Sequence, residues 1–263
     1  MPSPLLRRFV ASLLTCSALA AAASPSFGPA RSIPPDDAQL LLRDGNRRFV
    51  AGEAVHFQQD AARRRETVTN GQKPFAVILT CSDSRVPPEL LFDQGLGCLF
   101  VIRVAGNVAQ TDEIASIEYA VGHLGARLIV VLGHTHCGAV TAVVEESPLG
   151  PNLTQLVKPI MPAVARARSE NPGMRGAPLV AAAIRANIEQ AATDLRRRSP
   201  EIAAAVIHGN VRVLGANYDL ETGEVTFFEP ASVPPTELPA AAQAAPETIP
   251  GEQATAPAPA GHH

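Results

Sequence analysis

The residues best able to do chemistry lie in two short segments of the chain. Cys81, Asp83 and Arg85 belong to the segment LTCSDSR, and His134 and Cys137 belong to the later segment HTHC. Two thiolates and one imidazole are donors that suit tetrahedral zinc. A set of three protein ligands leaves a fourth position for water, which is typical of a catalytic rather than a structural zinc site. Cys81, His134 and Cys137 are therefore the candidate metal ligands.

Asp83 and Arg85 follow Cys81 closely enough to act beside a bound metal. The carboxylate of Asp83 can accept a hydrogen bond from a zinc-bound oxygen. Arg85 can hold that carboxylate through a bidentate pair, which keeps it ionised and oriented. A purely structural salt bridge is the alternative interpretation of this pair.

Both segments directly follow short, continuous apolar runs. PFAVILT precedes Cys81, ARLIVVLG precedes His134, and CLFVIRVAG is a third run of the same kind. Such runs are typical of strands buried on both faces of a parallel sheet. Ligands bind beyond the carboxyl ends of the strands in these sheets. The three candidate ligands will therefore meet if their strands are neighbours.

The remaining pattern predicts an α/β fold, with a mostly parallel central sheet flanked by helices. Asp36 or Asp37 can cap an N-terminal helical arm. The apolar face of this arm is predicted to comprise Leu40, Leu41, Phe49 and Val50. Residues 152–206 are predicted to be mostly helical, and NVRVLGANYDL with EVTFFEP is predicted to form a C-terminal β-hairpin.

The composition of the chain favours a small molecule over nucleic acid as its binding partner. The 263-residue chain has a formal net charge of -3, no sustained basic block and no Trp. These features disfavour nucleic acid as a partner, because they provide neither an electrostatic footprint nor a platform on which bases stack. A small-molecule substrate fits the composition better.

The chain is predicted to comprise four segments. Residues 1–23 have the basic, apolar and small-residue regions of a signal peptide, and residues 24–35 form a Pro/Ser-rich extended leader. A single α/β domain spans residues 36–230, and the Pro/Ala-rich tail 231–263 is expected to be disordered. An exported, periplasmic protein is expected, with a Sec-type signal favoured over a twin-arginine or lipoprotein signal.

The chain resembles the β-class carbonic anhydrases. The resemblance runs through CSDSRVPPELLFDQGLGCLFVIRVAGNVA, SIEYAVGHLGARLIVVLGHTHCGAV and LLRDGNRRFVAG, and covers most of residues 36–230. It implies that Cys81, His134 and Cys137 are the zinc ligands and that Asp83 and Arg85 form the family's catalytic dyad. The substrate-binding residues that it implies are Gln72, Phe100, Tyr119 and Gly138.

The resemblance also implies an activity, a cofactor and an assembly. The activity is the reversible hydration of carbon dioxide to bicarbonate and a proton, by a zinc-bound hydroxide that the dyad orients, with one Zn²⁺ per subunit. Gln72 is present and Trp is absent, so the plant-like, non-allosteric subgroup is expected, with Asp83 held by Arg85 rather than by zinc. The family implies a homodimer or homotetramer, with pocket residues contributed across the interface.

Two other functions stay open at this point. The same zinc site could hydrolyse carbonyl sulfide or carbon disulfide, because the ligands do not discriminate between these molecules and carbon dioxide. The chain could also be a catalytically silent zinc-binding module. Cys98, which opens a strand-like run, is expected to be an inert buried thiol.

Overall fold

A computed structural model describes residues 33–243, and their centre is a five-stranded sheet with the strand order β2-β1-β3-β4-β5. The strands are β1 (Ala76–Thr80), β2 (Leu99–Arg103), β3 (Leu128–His134), β4 (Arg212–Tyr218) and β5 (Val225–Phe228). Strands β1 to β4 pair in parallel, and β5 pairs antiparallel with β4. The predicted mostly parallel sheet with a C-terminal hairpin is confirmed.

Helices cover both faces of this sheet. They are α1 (Pro35–Ala51), α2 (Ala61–Asn70), α3 (Pro88–Leu91), α4 (Thr111–Gly122), α5 (Gly138–Val144), α6 (Pro151–Val157), α7 (Met161–Glu170), α8 (Gly176–Arg198), α9 (Pro200–Ile207) and α10 (Ala240–Gln243). Short 3₁₀ turns occupy Lys158–Ile160 and Pro235–Glu237. Within residues 33–243, no helix is both long and apolar enough to cross a membrane.

The central strands are buried on both faces, as their continuous apolar runs predict. Val77 and Leu79 of β1 belong to a core cluster with residues of α4, α5, α7, α8 and α9. Ala76 and Ile78, which point to the opposite face, belong to a second cluster with residues of α1 and α3. Alternate side chains of one strand thus serve two hydrophobic cores.

The order of the strands reverses next to β1. The chain passes from β1 to β2 on one side, and then crosses to β3 on the other side of β1. Thr80 pairs with Leu132, which brings the residue after β1 close to His134 at the end of β3. A crevice at the carboxyl ends of these two strands is the usual place for a ligand in an open α/β sheet.

The predicted apolar face of helix α1 is divided: Leu41 and Phe49 pack, partly buried, against the second core cluster. The buried residues are Ala38, Leu42, Gly45 and Asn46, whereas Leu40 and Val50 are exposed. A Cβ at Gly45 would lie 1.7 Å from the Phe92 carbonyl oxygen, so this position admits only glycine. Small residues let α1 pack closely against its own chain, and the arm therefore has a partner within the domain.

Asp93 ties the loop after α1 to the end of α3. Its side chain accepts hydrogen bonds from Arg48 Nε at 2.6 Å and from the backbone N–H groups of Val55 at 3.1 Å and His56 at 3.0 Å. Burial opposes the ionised form, but the hydrogen bonds from Arg48 and the two amides outweigh it and lower the pKa of Asp93.

We expect Asp93→Asn to reduce the free energy of unfolding by about 2 kcal/mol at pH 7, because one charge-assisted network is lost. Since the folded state lowers the pKa of Asp93, the stabilisation is complete above the unfolded value of about 4 and disappears as the pH falls through the folded value. Urea unfolding across this pH range measures the difference. Asp44→Asn, in an exposed pair with Arg47, is the control and should change stability by less than about 0.5 kcal/mol. A pH-independent difference for Asp93→Asn would contradict this account.

The described part of the C-terminal tail departs from the expected disorder. Within residues 231–243, helix α10 packs against α9, and Ala242 is fully buried with Ala203 and Ala204. The Arg196 guanidinium donates to the Ala231 carbonyl at 2.8 Å. Alanine-rich helices can pack closely through small side chains, which composition alone does not reveal. The proposed signal peptide, nearly all of the leader and residues 244–263 lie outside the described residues.

Candidate active site

Three candidate ligands meet at the carboxyl ends of β1 and β3. Cys81 follows β1 directly, His134 is the last residue of β3, and Cys137 is the N-cap of α5. All three side chains are buried, and their ligand atoms lie within 4.8 Å of one another. The structure thus brings together the thiol, imidazole and thiol that the sequence analysis singled out.

His134 is oriented as a metal ligand would be. Its Nδ1–H donates to the Thr135 carbonyl at 2.8 Å, which leaves the lone pair on Nε2. Nε2 is fully buried and has no hydrogen-bond partner. Leaving such an atom unpaired costs free energy, and a metal ion among the three donors would remove that cost.

The two thiols shift each other's pKa in opposite directions. The hydrogen bond from the Cys137 thiol lowers the pKa of Cys81 against the opposing effect of burial, and the hydrogen bond from the Gly106 N–H acts in the same direction. The same interaction with Cys81, together with burial, raises the pKa of Cys137. Metal ligation requires thiolates, and the lowered pKa of Cys81 favours the thiolate form at one of the two sulfurs. A donor set of two sulfurs and one imidazole fits Zn²⁺.

Asp83 and Arg85 form a bidentate pair beside this cluster. Arg85 Nη2 donates to Asp83 Oδ2 at 2.7 Å, and Arg85 Nε donates to Oδ1 at 2.9 Å. These hydrogen bonds hold the pKa of the Asp83 carboxyl well below its usual range. Asp83 Oδ2 lies 3.9 Å from His134 Nε2. An ionised, oriented carboxylate therefore borders the three candidate ligands.

Two residues at the site, Arg103 and Gly106, were not identified from the sequence. The Arg103 guanidinium donates to the Asp83 carbonyl at 2.5 Å and to the Cys81 carbonyl at 3.3 Å, and so fixes the backbone between them. The Gly106 N–H donates to Cys81 Sγ at 3.3 Å. Arg103 carried a usable signal, because it is a charged residue at the carboxyl end of a strand, on the same sheet edge as Cys81.

The four residues expected to bind substrate do not all lie beside the candidate metal ligands. Gly138 is the first residue of α5 and adjoins Cys137. Phe100 and Tyr119 pack against each other with ring centroids 6.3 Å apart, and Tyr119 is 48% exposed. Exposed Gln72 lies beside Gly97, just before β2.

The sheet register separates Phe100 from the metal ligands of its own chain. Phe100 pairs with Val77 of β1. Cys81 lies four residues after Val77, which corresponds to about 13 Å along the strand at about 3.3 Å per residue. The expectation that Phe100 faces the substrate is therefore not met by the metal ligands of its own chain.

Comparison with known proteins relates this fold and site to one family. A sequence model of the carbonic anhydrase family matches residues 76–225. The chain is 39% identical over 196 residues to a carbonic anhydrase of Mycolicibacterium smegmatis, a match covering 73% of this chain and 92% of the relative. It is 38% identical over 197 residues to carbonic anhydrase 2 of Mycobacterium tuberculosis, with the same coverage of 73% and 92%.

Solved structures agree with the sequence relatives. The β-carbonic anhydrase CcaA superposes with a TM-score of 0.59 at 29% identity, covering 73% of this chain and 95% of that protein. The β-carbonic anhydrase CafA of Aspergillus fumigatus superposes with a TM-score of 0.61 at 25% identity, covering 80% and 95%. From the matched residues, the shared fold and the cluster of cysteine and histidine donors, the chain belongs to the β-class carbonic anhydrase family.

Proposed function

We propose that this protein catalyses the reversible hydration of carbon dioxide to bicarbonate and a proton, with one Zn²⁺ per subunit. The observation that carries the proposal is the buried, unpartnered Nε2 of His134, which lies among two cysteine sulfurs with the ionised Asp83 beside it. Cys81, His134 and Cys137 would hold the metal. When bound, zinc lowers the pKa of water to about 7 and so supplies hydroxide at neutral pH.

Asp83 orients the nucleophile. Because Arg85 keeps its carboxylate ionised, Asp83 can only accept hydrogen bonds, and Oδ2 accepts the O–H of the attacking hydroxide. The hydroxyl hydrogen is thereby turned towards Asp83, and the lone pair of the oxygen is turned towards the carbon of carbon dioxide. The carbon–oxygen bond that forms gives bicarbonate, and replacing the consumed hydroxide from water releases one proton.

Arg85 acts on the reaction through Asp83. Its two donors occupy both carboxylate oxygens, which fixes the plane of the carboxylate. This pairing supports the open, plant-like arrangement, in which arginine holds the aspartate and the aspartate would not bind the metal. The presence of Gln72 and the absence of Trp support the same subgroup.

We propose that the active protein is a homodimer or homotetramer. Phe100 is displaced from the metal ligands of its own chain, and Tyr119 beside it is half exposed. A second subunit that presents Gln72, Phe100 and Tyr119 would add an apolar wall for a nonpolar gas and an amide donor for a carbonate oxygen. Gly138 would contribute a backbone amide beside Cys137. The proposed export to the periplasm rests on residues 1–23 alone.

Metal analysis and stopped-flow assays on the purified protein test this function. We expect one zinc per subunit and carbon dioxide hydration that rises with pH as the nucleophile ionises. Carbonyl sulfide and carbon disulfide are assayed in parallel, because the same ligands could act on either. Faster turnover of carbonyl sulfide or carbon disulfide would show that the sulfur-containing gas, and not carbon dioxide, is the substrate. One zinc per subunit without activity on any of the three gases would indicate a catalytically silent zinc-binding module.

A further inference from the structure

Cys81 is held by a backbone turn that follows the neighbouring strand β2. The Val104 N–H donates to the Thr80 carbonyl at 3.0 Å, which continues the pairing of β2 with β1 beyond the end of β2. The Asn107 N–H then donates to the Val104 carbonyl at 3.0 Å and closes a tight turn. Within this turn, the Gly106 N–H donates to Cys81 Sγ at 3.3 Å. The position of Gly106 therefore affects the position of this sulfur.

Gly106 has little freedom to move in this turn. Its φ of +77° lies in the left-handed region that favours glycine, and a Cβ would lie 2.6 Å from Ile160 Cδ1. On its other side, the Gly106 carbonyl accepts a hydrogen bond from Asn187 Nδ2 at 2.7 Å. Asn187 is 1% exposed. The N–H and the carbonyl of Gly106 are thus both held, one by the candidate ligand and the other by a buried amide.

Asn187 lies on helix α8, which also contacts the strand that carries His134. Ile188, the next residue of the helix, packs so closely on Gly133 that a Cβ there would lie 2.6 Å from Ile188 Cδ1. Gly133 directly precedes His134. One turn of α8 therefore contacts the backbone beside His134 and, through Gly106, reaches Cys81.

We propose that Asn187 is a positioning residue for the metal centre, and that it acts through Gly106 to hold Cys81 at the correct place relative to His134. The inference rests on the proposed function in so far as these residues ligate a metal. Hydrogen bonds to metal ligands orient them and tune their donor strength, and losing such a partner typically costs 10- to 100-fold in metal affinity. Asn187 acts through one intervening residue, so we expect the lower end of that range, about 10-fold.

Two variants test this role with measurements that do not use enzyme activity. Asn187→Asp keeps the shape of the side chain but replaces the donor with an oxygen that faces the Gly106 carbonyl. Asn187→Leu removes the donor and leaves an apolar group of similar size. Zinc affinity is measured by competition with a chelator, and the electronic spectrum of the Co²⁺-loaded protein reports the sulfur-to-cobalt charge transfer. We expect about 10-fold weaker zinc binding and a shifted charge-transfer band in both variants.

Asn46→Leu is the matched control. Asn46 is also a buried helical asparagine whose Nδ2 donates to two backbone carbonyls, those of Leu91 at 3.2 Å and Gly223 at 3.0 Å. It belongs to α1 on the opposite face of the sheet. Removing it should lower the melting temperature while zinc affinity and the cobalt spectrum stay at their wild-type values.

The outcomes separate this inference from the proposed function. A wild-type protein that binds neither ion overturns both. Wild-type binding with unchanged affinity and spectra in Asn187→Asp and Asn187→Leu overturns the inference alone, and so does an equal loss of affinity in Asn46→Leu. Should Asn187→Leu fail to fold, the near-isosteric Asn187→Asp decides.

Discussion

Replacing Cys81 with alanine is expected to remove zinc and to lower carbon dioxide hydration by more than about a thousand-fold. A water molecule of pKa about 7 is half ionised at neutral pH, whereas bulk water, of pKa 15.7, supplies almost no hydroxide. The variant keeps one sulfur and one imidazole at the site, and two protein ligands are fewer than a zinc enzyme uses. Metal content and stopped-flow hydration, measured on the same preparation, check both parts of the expectation.

Cys98→Ala is the matched control for this experiment. Cys98 is another buried free cysteine, and burial raises the pKa of its thiol. It belongs to the core cluster on the face of the sheet opposite to Cys81 and Cys137. We expect this variant to bind one zinc per subunit and to hydrate carbon dioxide at the wild-type rate. Loss of zinc in Cys98→Ala, or its full retention in Cys81→Ala, would show that the metal is held elsewhere.

The meeting of Cys81, His134 and Cys137 could be predicted because each lies at the end of an apolar run. Strands buried on both faces have uninterrupted apolar sequences, and their direction determines which sheet edge carries the residue that follows. The remaining assumption was that β1 and β3 are neighbours, which the sheet order confirms. Local sequence therefore held enough information for the core of this site.

Contacts between segments far apart in sequence were not predictable in the same way. Asn187 lies in an alanine-rich helix, and the residues next to it in the sequence do not distinguish it from an exposed asparagine. Its hydrogen-bond partner Gly106 lies 81 residues earlier in the chain. The position of Phe100 likewise depends on the register between β1 and β2, which spacing along the chain does not reveal.

The apolar side chains of α1 do not all lie in the same environment. Of the four residues in the predicted apolar face, Leu41 and Phe49 pack against the core and Leu40 and Val50 are exposed. Gly45 is buried where the backbone of Phe92 approaches closely. A hydrophobic pattern favours bulky residues, whereas close packing of a helix on a neighbouring segment selects small ones. The exposed Leu40 and Val50 line a groove of about 530 Å³ between α1 and the β4–β5 hairpin. The apolar pattern therefore identified the apolar residues of this helix but not which of them the domain covers.

The role of Asp83 can be separated from metal binding by the variant Asp83→Asn. We expect zinc content to stay at one per subunit while the kcat/KM for carbon dioxide falls about 100-fold, the usual effect of removing one oriented hydrogen bond at a reacting atom. Asparagine has the shape of aspartate but only one acceptor oxygen, so it cannot bind both donors of Arg85 and also accept from the nucleophile. Its amide can instead donate to the attacking oxygen and turn the lone pair away from the substrate.

Asp93→Asn is the control that distinguishes catalysis from the general effect of breaking an aspartate–arginine pair. Asp93 is held by Arg48 at 2.6 Å, a distance close to the 2.7 Å of the Asp83–Arg85 pair, but it belongs to the packing of α1 and α3. This variant should lose stability and keep its kcat/KM per bound zinc. Because Arg85 holds the pKa of Asp83 far below neutrality, the wild-type activity between pH 6 and 9 should follow the ionisation of the nucleophile and not that of Asp83. Equal losses of kcat/KM in the two variants would assign Asp83 a structural role, and full activity in Asp83→Asn would remove it from the mechanism.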